Sequence, residues 1–289
     1  MKTMNKTNDK RKGLNYLFPF FTLLIMLIAG ACTNQDNPSE FSQEDTEDAT
    51  TNAIDDFAND DAEDLGMVAV ISETSEGGRI SDSDDRLQCA VITRTGTKEA
   101  GTIRIDFGIG CKDQRGRVRK GAILIDYVGA WAEPGSSLLY SFDNYSVNDI
   151  VLGGTRSVKN ITTDPALLTF QVDVEDGTAT WPDGRVATRR VHHRRVHERD
   201  VNNVLLRLII YGTSEGNHRN GRGYYIEILE PLVYDRKCRE EGVFIPVKGK
   251  KLIKHGDRQI TVDYGDGRCD NIVTLINING RSKDINVGG

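Results

Sequence analysis

Ile103-Arg104-Ile105-Asp106-Phe107-Gly108-Ile109-Gly110-Cys111 recurs near the far end of the chain as Ile260-Thr261-Val262-Asp263-Tyr264-Gly265-Asp266-Gly267-Arg268-Cys269, with one residue inserted. Alternating apolar and polar side chains that run into Gly and Asp describe a half-buried strand entering a turn. Each copy also has a cysteine upstream, Cys89 or Cys238. The midpoint of Cys89 and Cys111 is residue 100, within a turn expected over Gly96 to Gly101. The midpoint of Cys238 and Cys269 lies between 253 and 254, beside a turn expected over Lys254 to Arg258. In both copies the cysteines would face one another across an antiparallel hairpin, where Cα separations suit a disulfide. The four cysteines beyond Cys32 allow three connectivities. The hairpin geometry selects Cys89–Cys111 and Cys238–Cys269.

Outward from the repeat, the chain from about Arg86 reads as short runs of Val, Ile, Leu, Tyr, Phe and Thr separated by Gly, Asn and Asp. Strands are expected at Cys89 to Thr95, Thr102 to Gly108, Val118 to Ala130, Leu138 to Tyr145, Leu168 to Val174, Val204 to Tyr211, Tyr224 to Leu229, Gln259 to Tyr264 and Ile272 to Ile278. Turns are expected at Glu133 to Ser136, Glu175 to Gly177 and Pro182 to Gly184, where Pro, Asp and Gly preset turn dihedrals. Connections this short favour antiparallel neighbours, because a parallel pair needs a long crossover. The expectation is one all-β domain over 67–289, an antiparallel sandwich or up-and-down (half-)barrel with two cysteine-stapled hairpin repeats.

The repeat and its cysteines resemble a group of uncharacterised lipoproteins of the Bacteroidota with a paired Ile-x-Val/Ile-Asp-Phe/Tyr-Gly-x-Gly signature. The resemblance extends to Gly116 to Arg119, to the turn Trp181 to Gly184 and to Glu230 to Leu232, and runs from about Arg86 to Asn279. It implies an address in the cell envelope and brings no activity. Asp-Tyr-Gly-Asp-Gly is also similar to a strand-turn of PKD domains, but the cysteine frame does not suit that immunoglobulin-like module.

The amino terminus agrees with that address. Lys2, Lys6, Lys10, Arg11 and Lys12 precede an apolar run from Leu17 to Ile28, the charged and apolar regions of a signal peptide. The run is shorter than the roughly 20 residues that span a bilayer. Ile28-Ala29-Gly30-Ala31-Cys32 resembles a lipobox, with Ala29 where leucine is more usual. This implies cleavage after residue 31 and a diacylglycerol on Cys32, whose two chains suffice for stable anchoring. The alternative is an ordinary secretory peptide cut near Ala31, with Cys32 an incidental thiol. Thr33 stands where an inner-membrane lipoprotein often carries aspartate, so the outer membrane is the expected address.

Residues 33 to 66 hold twelve Asp or Glu and no Lys or Arg, whereas 67 to 289 hold 32 basic and 30 acidic side chains. A segment so acidic and poor in apolar residues reads as a flexible tether over 32–66, with a short helix weighed at Ile54, Phe57 and Asp61. The same acidity near Cys32 is weighed as a surface-export signal of the Bacteroidota type, although only Asp36 lies close to the anchor. The near-neutral body offers no electrostatic footprint for nucleic acid.

Three constellations could carry chemistry. Gly212-Thr213-Ser214-Glu215-Gly216 matches the nucleophile elbow of hydrolases, which needs a helix directly after the serine. The continuation from Asn217 to Gly223 reads as a hairpin loop, with His218 the nearest candidate base. Arg189 to His197 reads as a basic strand on which Arg190, His192 and Arg194 could bind an acidic polysaccharide, lipid headgroups or a protein's acidic patch. It could equally dock the chain's own acidic tether. On a strand His193 and His197 are about 13 Å apart, too far to share a metal ion. Asp263, Asp266 and Asp270 could offer oxygen ligands to calcium, although the turn needs Asp and Gly for backbone reasons alone. The expected role is non-enzymatic binding or scaffolding by a membrane-anchored lipoprotein. An envelope hydrolase using Ser214 and a calcium- or anion-dependent carbohydrate-binding module are the alternatives.

Overall fold

A computed structural model describes residues 41–74, 84–164, 166–201 and 204–287, so the leader and Cys32 lie outside the described residues. The elements are α1 (Gln43–Thr74), β1 (Val91–Gly96), β2 (Ala100–Asp106), β3 (Cys111–Lys112), β4 (Val118–Val128), β5 (Ser137–Val147), β6 (Ile150–Gly153), β7 (Arg156–Asn160), β8 (Leu168–Thr180), β9 (Val186–Arg199), β10 (Leu205–Asn217), β11 (Gly223–Asp235), α2 (Arg236–Glu240), β12 (Lys248–His255), β13 (Arg258–Asp266), β14 (Ile272–Asn277) and β15 (Ser282–Asn286).

All the strands join one sheet in the order β1-β2-β4-β5-β6-β8-β9-β10-β11-β12-β13-β14-β15, with β3 on β4 and β7 bridging β5 and β8. Neighbours in that order are nearly always neighbours in sequence, as short connections demand. The expected antiparallel all-β domain is therefore present as a single up-and-down sheet. Both expected disulfides form, with Cα separations of 5.7 Å for Cys89–Cys111 and 4.8 Å for Cys238–Cys269. They close the base of each hairpin rather than opposing strand positions: Cys89 precedes β1, and Cys238 sits on α2. Glu175-Asp176-Gly177, expected as a turn, is a bulge inside β8, where the register against β9 slips between Val174 and Gly177. Its turn-forming residues serve the extra length that a bulge inserts.

The largest departure from the sequence reading is α1. Residues 43 to 66, expected within a solvated tether, form most of a 32-residue helix, about 48 Å long at 1.5 Å per residue. Two hydrophobic clusters share it. Ala58, Ala62, Leu65, Ala69 and Val70 pack with β2, β4 and β5 side chains such as Ile103, Ile125 and Tyr140. Ala49 and Ala53 pack with Ile226, Ile253 and Leu275 of the carboxy-terminal strands. Alanine lets strands approach closely, and Gly66 takes this furthest: a Cβ there would lie 2.3 Å from the Tyr140 ring. A helix buried on several sides has no single apolar stripe, which is why its periodicity reads as weak.

Candidate functional site

The acidic residues of α1 are matched to cations on many separate elements. Asp45 pairs with Arg258 at 2.6 Å, Asp48 with Arg222 at 2.6 Å, Asp56 with Lys251 at 3.0 Å and Arg189 at 3.2 Å, and Asp60 with Arg195 at 2.9 Å. Glu63 meets Arg195 at 2.9 Å and Arg156 at 3.1 Å, Asp61 meets Arg119 at 2.9 Å, and Asp64 meets Arg86 at 2.7 Å and Arg239 at 3.3 Å. Burial alone would raise the Asp64 carboxyl, but Arg239 and Arg86 outweigh it and hold its pKa at about 2. Burial of such pairs returns little net stability, yet removing one member strands a charge in the interior. The network therefore specifies how the helix seats more than it drives the seating.

Strand β9 divides its charges between two faces because successive side chains alternate. Arg189 and Arg195 point inward to the helix, so the docking of the acidic segment foreseen for this strand occurs through these two residues. Arg190, His192 and Arg194 point outward. Arg190 lies between Glu175 at 3.2 Å and Glu215 at 3.0 Å, His192 Nδ1 is 2.6 Å from Asp173, and Arg194 stacks over the Tyr211 ring at 4.2 Å. The outer basic row is thus interleaved with acidic neighbours. Because α1 supplies core residues to both clusters, its departure would expose them, and it is part of the fold.

Ser214 lies inside β10, paired with Ile226 on β11 and Val191 on β9, and strand continues to Asn217. The expected loop is confined to the turn closed by His218 N–H donating to Arg222 O at 2.8 Å. No helix follows the serine, so the elbow geometry is not formed. His218 turns inward against Tyr224, with ring centroids 4.5 Å apart, and lies 3.9 Å from Asp48. Asp263 and Asp270 accept backbone N–H bonds from Gly265 at 2.9 Å and Ile272 at 3.0 Å, and Asp266 pairs with Arg268 at 3.2 Å. These carboxylates carry out turn chemistry, and among the described residues no cluster of three metal-ligating side chains occurs.

The concavity that could accept a ligand lies where α1, the start of β10 and α2 meet. An open groove of about 690 Å³ is walled by Val68, Val204, Leu205, Leu206, Leu208 and Phe244, with Arg86, Arg115, Arg117, Arg236 and Arg239 along it beside the carboxylates of Asp64, Asp84, Asp85 and Glu240. That volume falls within the range of small-molecule sites. Asp64, Leu205, Leu208, Tyr234, Arg239 and Phe244 also wall an inner cavity of about 40 Å³, room for about three waters. Trp131 and His197 line this cavity; Trp131 Nε1 and His197 Nδ1 are buried without a hydrogen-bonding partner. The His197 ring packs on Phe170 at 4.9 Å, and burial with Arg199 and Arg195 nearby pushes its pKa down to about 3. A perturbed titratable group at the end of a groove marks a candidate site.

None of the groove residues was singled out as a site residue in the sequence, although Arg117 lies in the Gly116 to Arg119 string and Leu205 to Leu208 in an expected strand. Arg115, Arg236 and Arg239 come from turn and α2 positions far apart in the chain, and only the folding of the sheet around α1 brings them together. The available signal was position: Arg115 and Arg117 follow Cys111, and Arg236 and Arg239 flank Cys238. Comparison with protein-family models, with curated proteins and with solved structures found no match to this chain.

Proposed function

We propose that this protein is a lipid-anchored lipoprotein of the bacterial outer membrane, of the Bacteroidota kind that its repeat resembles, with a binding rather than a catalytic role. The leader and Cys32 support the anchor. The observation that carries the binding role is the groove beside α1, with partly exposed leucines and a polar inner end. Ten residues, 33 to 42, separate Cys32 from the start of α1, a reach of at most about 36 Å. An anchored domain would therefore work close to its membrane.

The test is metabolic labelling with an alkyne palmitate in cells that carry a photo-crosslinking residue at Leu206. Wild-type protein takes the label and fractionates with membranes, whereas Cys32→Ala loses both. A crosslinker at Leu206 gives a discrete adduct that the same residue at exposed Val186 on β9 does not. Label retained by Cys32→Ala refutes the anchor, and equal or absent adducts at the two positions refute the groove as the binding site.

A further inference from the structure

The geometry points to an anionic single-chain amphiphile, an alkyl carboxylate or phosphate, as the ligand of the groove; this deepens the binding role proposed above and rests on it. Leu205, Leu206 and Leu208 on β10 and Phe244 after α2 form an apolar wall, and Leu206 is 45% exposed in the open groove. An alkyl chain laid there removes apolar surface from water on both sides.

The head group is argued from the arginines. Arg86, Arg236 and Arg239 already have carboxylates: Asp64 and Asp84 for Arg86, Glu240 for Arg236, and Asp64 for Arg239. Arg115 has no such carboxylate among the described residues, and Arg117 has one but keeps a donor free. Both lie against the Phe244 ring, 4.9 Å and 4.7 Å from its centroid. Arg115 reaches only the Glu240 carbonyl oxygen, at 3.5 Å, and pairs with no carboxylate among the described residues. Arg117 bonds Asp113 through Nε at 2.7 Å, but its Nη1 is buried with no hydrogen-bonding partner. Two guanidinium groups with donors to spare, both stacked on one aromatic ring at the rim of an apolar wall, suit a planar carboxylate or a phosphate with a hydrocarbon tail. A neutral sugar head would leave the charge of Arg115 unanswered. A free anion without a tail would leave the leucines in water.

The test is isothermal titration calorimetry on the Cys32→Ala chain, which lacks the lipid and keeps every residue of the β domain. The probes are sodium dodecanoate, dodecyl phosphate and dodecyl maltoside, each below its micellar concentration. The anionic probes bind about tenfold or more tighter than the maltoside, the increment of one charge-assisted hydrogen bond. The tighter of the two names the head group. Arg115→Gln and Leu206→Asp each weaken anionic binding about tenfold while leaving the protein folded, with a cooperative melting transition, since Arg115 is exposed and Leu206 is 45% exposed. Equal binding of all three probes, binding insensitive to Arg115→Gln, or no binding of either anion overturns the assignment. An adduct at Leu206 in cells without amphiphile binding refutes this ligand class and leaves the binding role standing.

Discussion

Arg119→Met destabilises the domain by about 3 kcal/mol, measured as the change in unfolding free energy from urea titration. The Arg119 side chain has no exposed surface. Its Nε and Nη2 donate to the two oxygens of Asp61 on α1, each at 2.9 Å, and Nη1 donates to Asp113 at 2.9 Å. Methionine keeps much of the volume but leaves Asp61 buried with only Arg86, at 3.4 Å, as a remaining cation. The penalty stays at the low end of the 3–5 kcal/mol typical of broken buried pairs, because Arg86 and Arg117 retain part of the compensation. Adding Asp61→Leu should restore most of the loss, since a hydrophobic pair of similar size often replaces a buried ion pair without cost. A loss under about 1 kcal/mol in the single variant would mean that Asp61 is not seated against β4.

Stability should also fall steeply as pH drops from 6.5 toward 3. His197, whose ordinary value is 6.5, is pushed down to about 3 by burial and then by Arg199 and Arg195; Asp64 on α1 opposes this. His193 is depressed by burial, Arg195 and Arg189, with Lys251 of β12 adding to the effect and Asp56 of α1 opposing it. His218 is lowered as well, chiefly by burial. These imidazoles stay neutral when folded but take up protons below 6.5 when unfolded. The unfolded state therefore binds more protons, and stability rises with pH by up to roughly 1.4 kcal/mol per pH unit for each group. Their contribution is complete above 6.5 and is lost as pH falls toward the folded values. Asp64, at about 2 against 3.8, and Asp56, also lowered, extend the loss below 3.8. Asp55, raised by burial, works in the opposite direction. Urea midpoints at about pH 7.5 and 4.5 measure the slope. His197→Phe, which keeps a ring beside Trp131 and Phe170, should flatten it, and an unchanged slope would show that His197 is not buried neutral.

The contrast between what could and could not be read in the sequence follows from the range of the interactions. The strands of the repeat, Ala100–Asp106 and Arg258–Asp266, were legible because alternation and turn residues are local signals. The disulfides were legible because each cysteine pair brackets its own hairpin. The helix was not, because the counterions of its carboxylates lie on distant strands: Arg258 is 213 residues from Asp45, and Arg195 is 135 from Asp60. Judged alone, twelve acids without a base look solvated; in the fold Asp55, Asp56, Asp60, Asp61 and Glu63 lie against Arg119, Arg156, Arg189 and Arg195. Ser214 shows the converse. Its local string matches a catalytic motif, yet the strand pairings of Ile226 and Val191 exclude the turn that the motif needs. The groove belongs with the helix: Arg115 and Phe244 meet only after the sheet has curled around α1.

The acidic segment is the keystone of the β domain, since it packs into both hydrophobic clusters. Amide hydrogen exchange of the native protein, resolved for residues 43 to 74, tests it most directly. Amides from about Ala53 to Val70 should exchange as slowly as those of the central strands β8 and β9, because their bonds can open only when the hydrophobic clusters they pack in do. Exchange of this segment at the rate of an unstructured chain, with the strands still protected, would return it to the role of a tether and contradict the account.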